Sequence, residues 1–468
     1  MRYSSFYDPG RRMSAWLLAA IVLLAALLRL PDLGVQSLWY DESATWSQVN
    51  GSLADLFVRT AADNYPPLYN ILAWISVAVF GDAEWVLRLP SALLGIGNVP
   101  LIYLLASRIG GRTAGLLAAA LLALSAFHIW YSQEARMYAL LAFTATAHGW
   151  AVLELTRQAK VAVRVLVVIS GVALVYSHPF GALTVAGIAL GGMVVLRHDW
   201  RRLLELLLLE CAVALAFLPW ALVLLGRAQV IAEGGFWIKQ ATPAHIWTVV
   251  HELTSMLIIP FIAAGLLLLR RTDAAREARR AAPLLLVWAV LPLIIAIVAS
   301  YLVQPVLLDR YLAGVLPPIL VLASCGLALV IRDHRQFAAG IAMVSLLAGL
   351  GVVFASPGER ENWRSAIAQL ERAIRPGDCI TMPISMRPVV DYYLRPAWQC
   401  LLPLANDTPP PAGRLFVVQS PQINGRRVNE AIAAQAPAMA PVEETTIGRV
   451  TIYVLDHLTA ATEGGPAS

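Results

Sequence analysis

The chain has 468 residues, of which 59% are hydrophobic and 14% charged, and its formal net charge is +5. Soluble domains carry roughly 25% charged residues, so the composition excludes an ordinary soluble domain and indicates a polytopic membrane protein. The basic residues lie in small clusters between apolar runs, which is typical of topology signals and not of a nucleic-acid-binding surface. No nucleic acid is therefore expected as a partner.

The apolar runs predict eleven membrane-spanning helices, since a helix needs about 20 apolar residues to cross a bilayer. The predicted spans are 14–30, 89–107, 113–131, 138–156, 161–177, 180–196, 203–225, 252–270, 283–303, 311–331 and 337–355. The first run follows Arg11 and Arg12, and no small-x-small cleavage site lies before the next loop. We interpret it as a retained signal anchor.

One further apolar stretch, Pro66 to Phe80, is shorter than a span and begins with two prolines. The basic loops decide its role, because Arg and Lys in short loops mark the cytoplasmic side. These loops contain Arg108 and Arg112; Arg157, Lys160 and Arg164; Arg197, Arg201 and Arg202; residues 270–280; and Arg332 and Arg335. Two predicted spans separate each neighbouring pair, so a crossing at 66–80 would break the pattern. The stretch is therefore interpreted as a re-entrant or interfacial helix within a first external loop, 31–88, with the N-terminus cytoplasmic.

The composition changes near residue 356, where Pro, Gly, Asn and charged residues become common. The periodicity of 361–374 predicts a helix, and 377–383, 414–420 and 448–456 predict short buried strands. The chain is thus divided into a transmembrane domain, 1–355, and a small extracytoplasmic α/β domain, 356–468. Cys379 and Cys400 lie in the second domain. They form a disulfide if that compartment is oxidising, and two free thiols remain the alternative.

Two adjacent carboxylates, Asp41 and Glu42, follow the first span in LWYDESATW, among Trp39, Tyr40 and Trp46. A solvated turn is one interpretation. The other is chemical, because a carboxylate at the membrane interface can accept a proton from an acceptor hydroxyl or hold a divalent cation against a phosphate.

A second polar block, HIWYSQEARMY, places Glu134 and Arg136 at the junction of two predicted spans. They either neutralise each other as a structural pair, or supply a second carboxylate facing Asp41 and an arginine for an anionic ligand. Further basic groups are predicted on the outer side of the membrane: Arg88, His178, Lys239 and Arg310. Each one alone fits a structural role at a helix end. Together they favour an anion, in particular a phosphate.

Four blocks in this order carry a family resemblance. They are LWYDESATW, NYPPLYNILAWISVAVFGDAEWVLRLPSALLGI, HIWYSQEARMYAL and DRYLAGVLPPILVLA. Over roughly residues 14–330 the chain resembles the bacterial relatives of protein O-mannosyltransferases and the lipid A aminoarabinose transferases, which are family-39-type glycosyltransferases. The resemblance implies the GT-C fold, an all-α polytopic membrane protein of about 11–13 transmembrane helices, here with a small α/β C-terminal domain.

The resemblance also implies an activity. A family member transfers a sugar from a polyprenyl-phosphate donor to an acceptor hydroxyl at the outer face of the cytoplasmic (inner) membrane, with inversion at the anomeric carbon. The expected partners are that donor, membrane lipids, and a lipid, glycan or protein acceptor in envelope biogenesis or protein glycosylation.

The resemblance assigns roles to individual residues. Asp41, with Glu42 beside it, and Glu134 are the expected catalytic carboxylates, and a divalent cation (Mg, Mn or Zn) at Asp41 and Glu134 is left open. The expected donor-phosphate contacts are Arg88, Arg136, Lys239, Arg310 and Tyr311, and the expected substrate contacts are Tyr40, Tyr65, Tyr138 and His178. Many relatives have a His before the two prolines where this chain has Asn64 and Tyr65, which argues against a metal ligand at that position.

Two functions from other classes compete with a transferase. A transporter or flippase of a lipid-linked sugar predicts polar residues near the bilayer midplane and repeated halves, and the sequence shows no repeat. A catalytically silent assembly partner predicts the loss of Asp41, which is present. An oligosaccharide ligase that uses a lipid-linked glycan is a third, still enzymatic, alternative.

Overall fold

The computed structural model describes residues 9–63, 65–158, 160–233, 238, 240–254, 276–333, 361–382, 386–394, 400–403, 413–420, 428–430, 432–433 and 439–457. The helices are α1 (Pro9–Arg29), α2 (Tyr40–Val49), α3 (Leu53–Ala61), α4 (Leu68–Phe80), α5 (Glu84–Leu124), α6 (Ala126–Ser132), α7 (Tyr138–Leu155), α8 (Val161–Val175), α9 (Pro179–Leu196), α10 (Trp200–Glu233), α11 (Pro243–Thr254), α12 (Arg276–Leu302), a 3₁₀ helix (Arg310–Val315), α13 (Leu316–Asp333), α14 (Trp363–Ala373) and α15 (Arg387–Tyr393). The strands are β1 (Cys379–Met382), β2 (Leu401–Pro403), β3 (Leu415–Gln419), β4 (Met439–Ile447) and β5 (Val450–His457).

The chain divides into two compact units. The helical unit comprises Met1–Leu33, Gly51–Gly81 and Trp85–Ser356. The small unit comprises Gly34–Asn50, Asp82–Glu84 and Pro357–Ser468.

Helices long and apolar enough to span a membrane make this a multi-pass membrane protein. Among the described residues they are Arg12–Arg29, Glu84–Leu124, Pro179–Leu196, Trp200–Arg227, Arg276–Leu302 and Arg310–Leu329. The predicted span 89–107 and most of the predicted span 113–131 form the single helix α5, which is broken at Gly111 with a φ of 81°. The rest of 113–131 lies in Ser125 and α6. The span 337–355 and most of 252–270 lie outside the described residues.

Two short helices bear on the predicted loops. The stretch 66–80 contains α4, whose 13 residues are fewer than the roughly 20 needed for a crossing. The segment between the predicted spans 203–225 and 252–270 is not all loop, because α11 begins at Pro243 within it. The Thr242 hydroxyl oxygen accepts a hydrogen bond from the His245 N–H at 3.2 Å, and this cap followed by proline is a helix start.

Close backbone packing holds the middle of the helical unit together. A Cβ added at Gly191 of α9 would lie 2.7 Å from the Cα of Leu284 in α12, so these two helices approach as small-residue membrane helices do. Trp288 of α12 is fully buried and packs on Gly149 of α7. Its indole N–H donates to the Gly314 carbonyl at 2.9 Å. The 3₁₀ helix is therefore anchored to a rigid bundle.

A mixed five-stranded sheet of order β2-β1-β3-β5-β4 forms the core of the small unit. β1 pairs in parallel with β2 and β3, and β5 pairs antiparallel with β3 and β4. The predicted helix and all three predicted strands are confirmed. The predicted disulfide joins Cys379 and Cys400, whose Cα atoms are 4.8 Å apart.

Strand β4 was not predicted. It contains Pro441, Glu443 and Glu444 and is largely exposed. These features suit a strand at a sheet edge, and they remove the apolar pattern by which a strand is predicted. Its pairing with β5 is made possible by Gly448, which turns the hairpin at a φ of 58°.

The boundary between the two units differs from the predicted one at residue 356. Segments 34–50 and 82–84 belong to the small unit, although they were assigned to the transmembrane domain. The physical reason is hydrogen bonding: the Leu38 N–H donates to the Tyr393 hydroxyl at 2.6 Å, and that hydroxyl donates to Glu84 at 2.6 Å.

Candidate functional site

A cluster of aromatic rings and arginines forms the candidate site of the helical unit. We call it the aromatic–arginine cluster, and it comprises Tyr65, Tyr131, Arg136, Tyr138, His178, Arg310 and Tyr311. Its members come from the segment before α4, the α6–α7 junction, the start of α9 and the 3₁₀ helix. Four separate parts of the sequence between residues 65 and 311 thus supply one site.

Two arginines give the cluster its charge. The Arg136 guanidinium carbon lies 4.8 Å from the centroid of the Tyr65 ring, and that of Arg310 lies 5.7 Å from the centroid of Tyr138. Arg136 is 3% exposed, and both arginines act electrostatically on the His178 ring. A ring face orients a guanidinium by a cation–π contact and leaves its positive charge in place.

Neutral donors surround these charges. The hydroxyls of Tyr65 and Tyr311 are 2.9 Å apart, and the centroids of the His178 and Tyr311 rings are 4.8 Å apart. The His178 Nδ1 accepts a hydrogen bond from the Phe180 N–H at 3.0 Å, so the imidazole is neutral and carries its proton on Nε2. That Nε2–H is buried and has no hydrogen-bond partner within the described part of the chain, which leaves a donor for a ligand.

Acidic groups lie at the same site. Glu134 is 2% exposed in the turn between α6 and α7, and it acts electrostatically on Tyr131 together with Asp309. The Tyr131 hydroxyl donates to the Asp309 carboxylate at 2.8 Å. Tyr131 and Asp309 are not among the predicted site residues, although both lie inside the blocks HIWYSQEARMY and DRYL.

The turn that carries Glu134 and Arg136 is fixed by its neighbours. The side-chain amide of Gln133 donates to the carbonyls of Leu28 and Arg29 at 3.3 and 3.4 Å. The Ser91 hydroxyl donates to the Arg136 carbonyl at 3.1 Å. Anchors on both sides hold the turn in one conformation.

Beneath that turn, the buried Arg29 satisfies the end of α5. It donates to the carbonyls of Leu122 and Ala123 at 3.0 and 2.9 Å, where the helix has no partners of its own. Ser125 then starts α6 by capping the His128 N–H at 3.2 Å. The sequence S-A-F-H after a helix end thus folds the site-bearing junction locally.

Arg88, an expected phosphate contact, is 1% exposed and lies in α5. Its guanidinium donates to the Leu33 carbonyl at 2.6 Å. This contact holds the segment that follows α1. A phosphate contact for Arg88 stays a prediction. Lys239 and Asn64 lie outside the described residues.

The acidic pair belongs to the small unit, at the start of α2. Glu42 is fully buried, and its carboxylate accepts a hydrogen bond from the Trp39 N–H at 3.4 Å, so it stabilises the first turn of the helix. Asp41 is half-buried at the N-terminal end, where a helix favours negative charge. Tyr40 packs against the hydrophobic core of the small unit. The two neighbouring carboxylates therefore differ in environment, and Asp41 is the more accessible.

Among the described residues no group of three or more His, Cys, Asp or Glu side chains could hold a metal ion. Asp41 and Glu134 belong to different units, so the predicted cavity between them stays a prediction.

Residues 64–225 match the family model described as dolichyl-phosphate-mannose-protein mannosyltransferase. The Bacillus subtilis (strain 168) protein YkcB, named as a candidate mannosyltransferase, is 29% identical over 153 residues, which are 30% of this chain and 21% of YkcB. The chain thus matches about a fifth of the length of this curated relative.

Solved structures resemble the chain over nearly its whole length. ArnT from Cupriavidus metallidurans in the apo state gives a TM-score of 0.63 at 15% identity, covering 96% of this chain and 98% of ArnT. The same protein bound to undecaprenyl phosphate gives 0.61 at 15% identity, covering 97% and 99%. The archaeal oligosaccharyltransferase AglB from Archaeoglobus fulgidus, in complex with an inhibitory peptide and a dolichol-phosphate, gives 0.52 at 16% identity, covering 84% of this chain and 60% of AglB. The predicted resemblance and the predicted GT-C fold class are confirmed.

Proposed function

We propose that this chain, which has the GT-C fold, is an integral membrane glycosyltransferase that moves a sugar from a polyprenyl-phosphate donor to an acceptor hydroxyl. The observation that carries the proposal is the aromatic–arginine cluster: Arg136 and Arg310 beside the paired hydroxyls of Tyr65 and Tyr311. Two guanidinium groups, of which that of Arg136 is buried, with hydroxyl donors beside them form an arrangement suited to a phosphate. The likeness to ArnT bound to undecaprenyl phosphate supports the same ligand class.

The cluster acts on the leaving group. As the bond between the anomeric carbon and the phosphate oxygen breaks, the electron pair moves to the phosphate. Arg136 and Arg310 then stabilise the extra negative charge, and the Nε2–H of His178 supplies a further hydrogen bond. Preorganised donors of this kind are usually the largest single contribution to such a reaction.

Asp41 acts on the acceptor. Its carboxylate takes the proton of the acceptor hydroxyl while that oxygen attacks the anomeric carbon on the face opposite the phosphate. The products are an inverted glycoside, a polyprenyl phosphate and a protonated Asp41, which returns its proton to water. General base catalysis of this kind contributes roughly 10²- to 10⁴-fold.

The proposal has a cation-dependent form, in which Asp41 and Glu134 bind a divalent cation (Mg, Mn or Zn), and a cation-independent form. Its chemistry would be neutralisation of the leaving phosphate, a task that the arginines also perform. Transfer measured with and without EDTA separates the two branches, because only a cation-dependent reaction is lost on chelation.

The placement of the reaction follows from the donor. A polyprenyl tail keeps the phosphate at the membrane surface, and the positive-inside pattern supports an extracytoplasmic position, at the inner membrane, for the first loop and the small unit. Membrane lipids and a lipid, glycan or protein acceptor complete the set of proposed partners.

The test is sugar transfer in proteoliposomes from a panel of polyprenyl-phosphate sugars. Wild type is compared with Asp41→Asn, and the matched control is Asp391→Asn, which makes the same substitution at an exposed ion pair with Arg387. We expect transfer by wild type and the control, and a loss of about 10³-fold in Asp41→Asn. Full activity in Asp41→Asn would contradict the catalytic assignment. Failure of wild type with every donor would favour the transporter or the silent assembly partner.

A further inference from the structure

The segment that leads into α2 is tied to the C-terminal part of the small unit by one tyrosine. The Tyr393 hydroxyl accepts a hydrogen bond from the Leu38 N–H at 2.6 Å and donates to the Glu84 carboxylate at 2.6 Å. It therefore uses both the acceptor and the donor capacity of a phenol. Leu38 is three residues before Asp41, so this contact fixes the backbone just before α2, which we call the acidic helix because its first turn contains Asp41 and Glu42.

Arg364 of α14 extends the same network. Its guanidinium forms an ion pair with Glu84 and donates to the carbonyls of Gly34 and Val35 at 2.8 and 3.2 Å. Glu84 is thus held by Arg364 and Tyr393 at once, and both of them also hold the backbone of residues 34–38. Two side chains of the C-terminal segment thus contact residues 34–38, and Glu84 contacts both of these side chains.

Ser37 makes a second tie. Its hydroxyl donates to the Glu361 carbonyl at 2.5 Å and accepts from the Trp363 N–H at 3.1 Å. Further along α2, the rings of Trp46 and Tyr392 meet edge to face with centroids 5.2 Å apart. The acidic helix is therefore held at its start and along its length by residues from the C-terminal segment.

The environment keeps Tyr393 in its phenol form. Burial raises its pKa far above the ordinary value, and the hydrogen bond to the Glu84 carboxylate raises it further. The hydroxyl can therefore donate to Glu84 throughout the working pH range.

We propose that Tyr393 is a positioning residue for the transfer reaction: through Leu38, and together with Glu84 and Arg364, it sets the orientation of Asp41. This inference rests on the proposed role of Asp41 as the base. It gives the C-terminal segment a function in catalysis, although that segment supplies no group that reacts. Placement errors of about 1 Å can cost a factor of roughly 10² in rate, so a single lost anchor at the start of α2 is enough to be measured.

The test is the kinetics of Tyr393→Phe in proteoliposomes. We expect kcat to fall about 10-fold or more while KM for the donor stays within about twofold of wild type, because the donor-phosphate groups lie elsewhere. Tyr453→Phe is the matched control. It removes a tyrosine hydroxyl from the same unit, one that donates to Gln419 at 3.0 Å, and it should keep wild-type kcat.

A double variant separates positioning from general destabilisation. If Tyr393 acts through Asp41, then Tyr393→Phe has no further effect on the residual rate of Asp41→Asn. An equal loss in both backgrounds, or an equal loss in Tyr453→Phe, would overturn the proposal. If Tyr393→Phe does not fold, Arg364→Gln replaces it, with a smaller expected loss of kcat at unchanged KM, and a wild-type kcat there would overturn the proposal.

The outcome distinguishes this inference from the proposed function. Full activity in Asp41→Asn would show that Asp41 is not the base, which overturns its catalytic assignment and the positioning role of Tyr393 but not the transferase activity. A dead Asp41→Asn beside a fully active Tyr393→Phe removes the positioning role alone.

Discussion

Two pairs of arginines, one pair from each unit, have different surroundings. In the small unit, Arg414 forms a 2.8 Å ion pair with Asp378, and Arg364 forms one with Glu84, so carboxylates neutralise these charges and join strands and segments. In the helical unit, Arg136 and Arg310 lie against tyrosine rings, in a site that also contains the carboxylates of Glu134 and Asp309. The ion pairs of the first two arginines stabilise the fold, whereas the proposed role of the second two is to bind a phosphate.

The largest expected effect is that of removing the charge of Arg310. Arg310→Gln should lower kcat/KM for sugar transfer by about 10²- to 10³-fold, because a charge that stabilises the leaving phosphate is lost. Arg414→Gln should leave kcat/KM within about twofold of wild type and instead lower the thermal midpoint, since its carboxylate partner stays buried without a counter-charge. Steady-state kinetics and thermal unfolding of both variants check this. Equal losses of kcat/KM in the two variants would contradict different roles for Arg310 and Arg414.

A second prediction concerns the disulfide of the small unit. Reduction of Cys379–Cys400 should destabilise that unit by about 3 kcal/mol, the size expected for a short closed loop. The double variant Cys379→Ser and Cys400→Ser should show the same loss without reductant. Thermal unfolding followed by tryptophan fluorescence measures it, and the double variant should no longer respond to reductant. A midpoint that does not change would show that the sheet alone carries the stability.

The smallest expected effect is a pH dependence at the ion pair of Asp378. Burial acts to raise the pKa of this carboxyl, but hydrogen bonds from Arg414 and Arg375 outweigh it and hold the pKa below the ordinary value. A depressed folded-state pKa adds stability above the unfolded pKa, about 3.9, and that stability is lost as the pH falls through the folded value. The stability difference between wild type and Asp378→Asn should therefore shrink below about pH 4. A constant difference down to pH 2 would contradict the assignment.

The sequence anticipated the parts of the molecule that local pattern determines. Apolar runs located the long helices, and short runs of buried character located β1, β3 and β5. The blocks around Glu134 and Arg310 located the cluster. The missed members, Tyr131 and Asp309, are bound to each other across 178 positions, and a pairing of that range has no signature in a single sequence.

Long-range hydrogen bonds explain the other discrepancies. Residues 34–50 belong to the small unit because of contacts such as that of Leu38 with Tyr393. No change in composition marks such a contact in the sequence. Glu210 suggested no role from the sequence. The structure places it 3.3 Å from the His148 Nε2, while the Nδ1 of that histidine lies 3.1 Å from the Ser170 hydroxyl. This pair links α7, α8 and α10, and a structural role within the bundle accounts for a carboxylate at membrane depth.

The most direct test of the central claim is lipid-phosphate binding, because it does not require the acceptor or the sugar to be known. Native mass spectrometry of the purified protein with undecaprenyl phosphate would compare wild type, the double variant Arg136→Gln and Arg310→Gln, and the control Arg414→Gln. We predict that wild type and the control each retain one lipid phosphate and that the double variant loses it. Equal retention by all three proteins would contradict a phosphate site at the aromatic–arginine cluster.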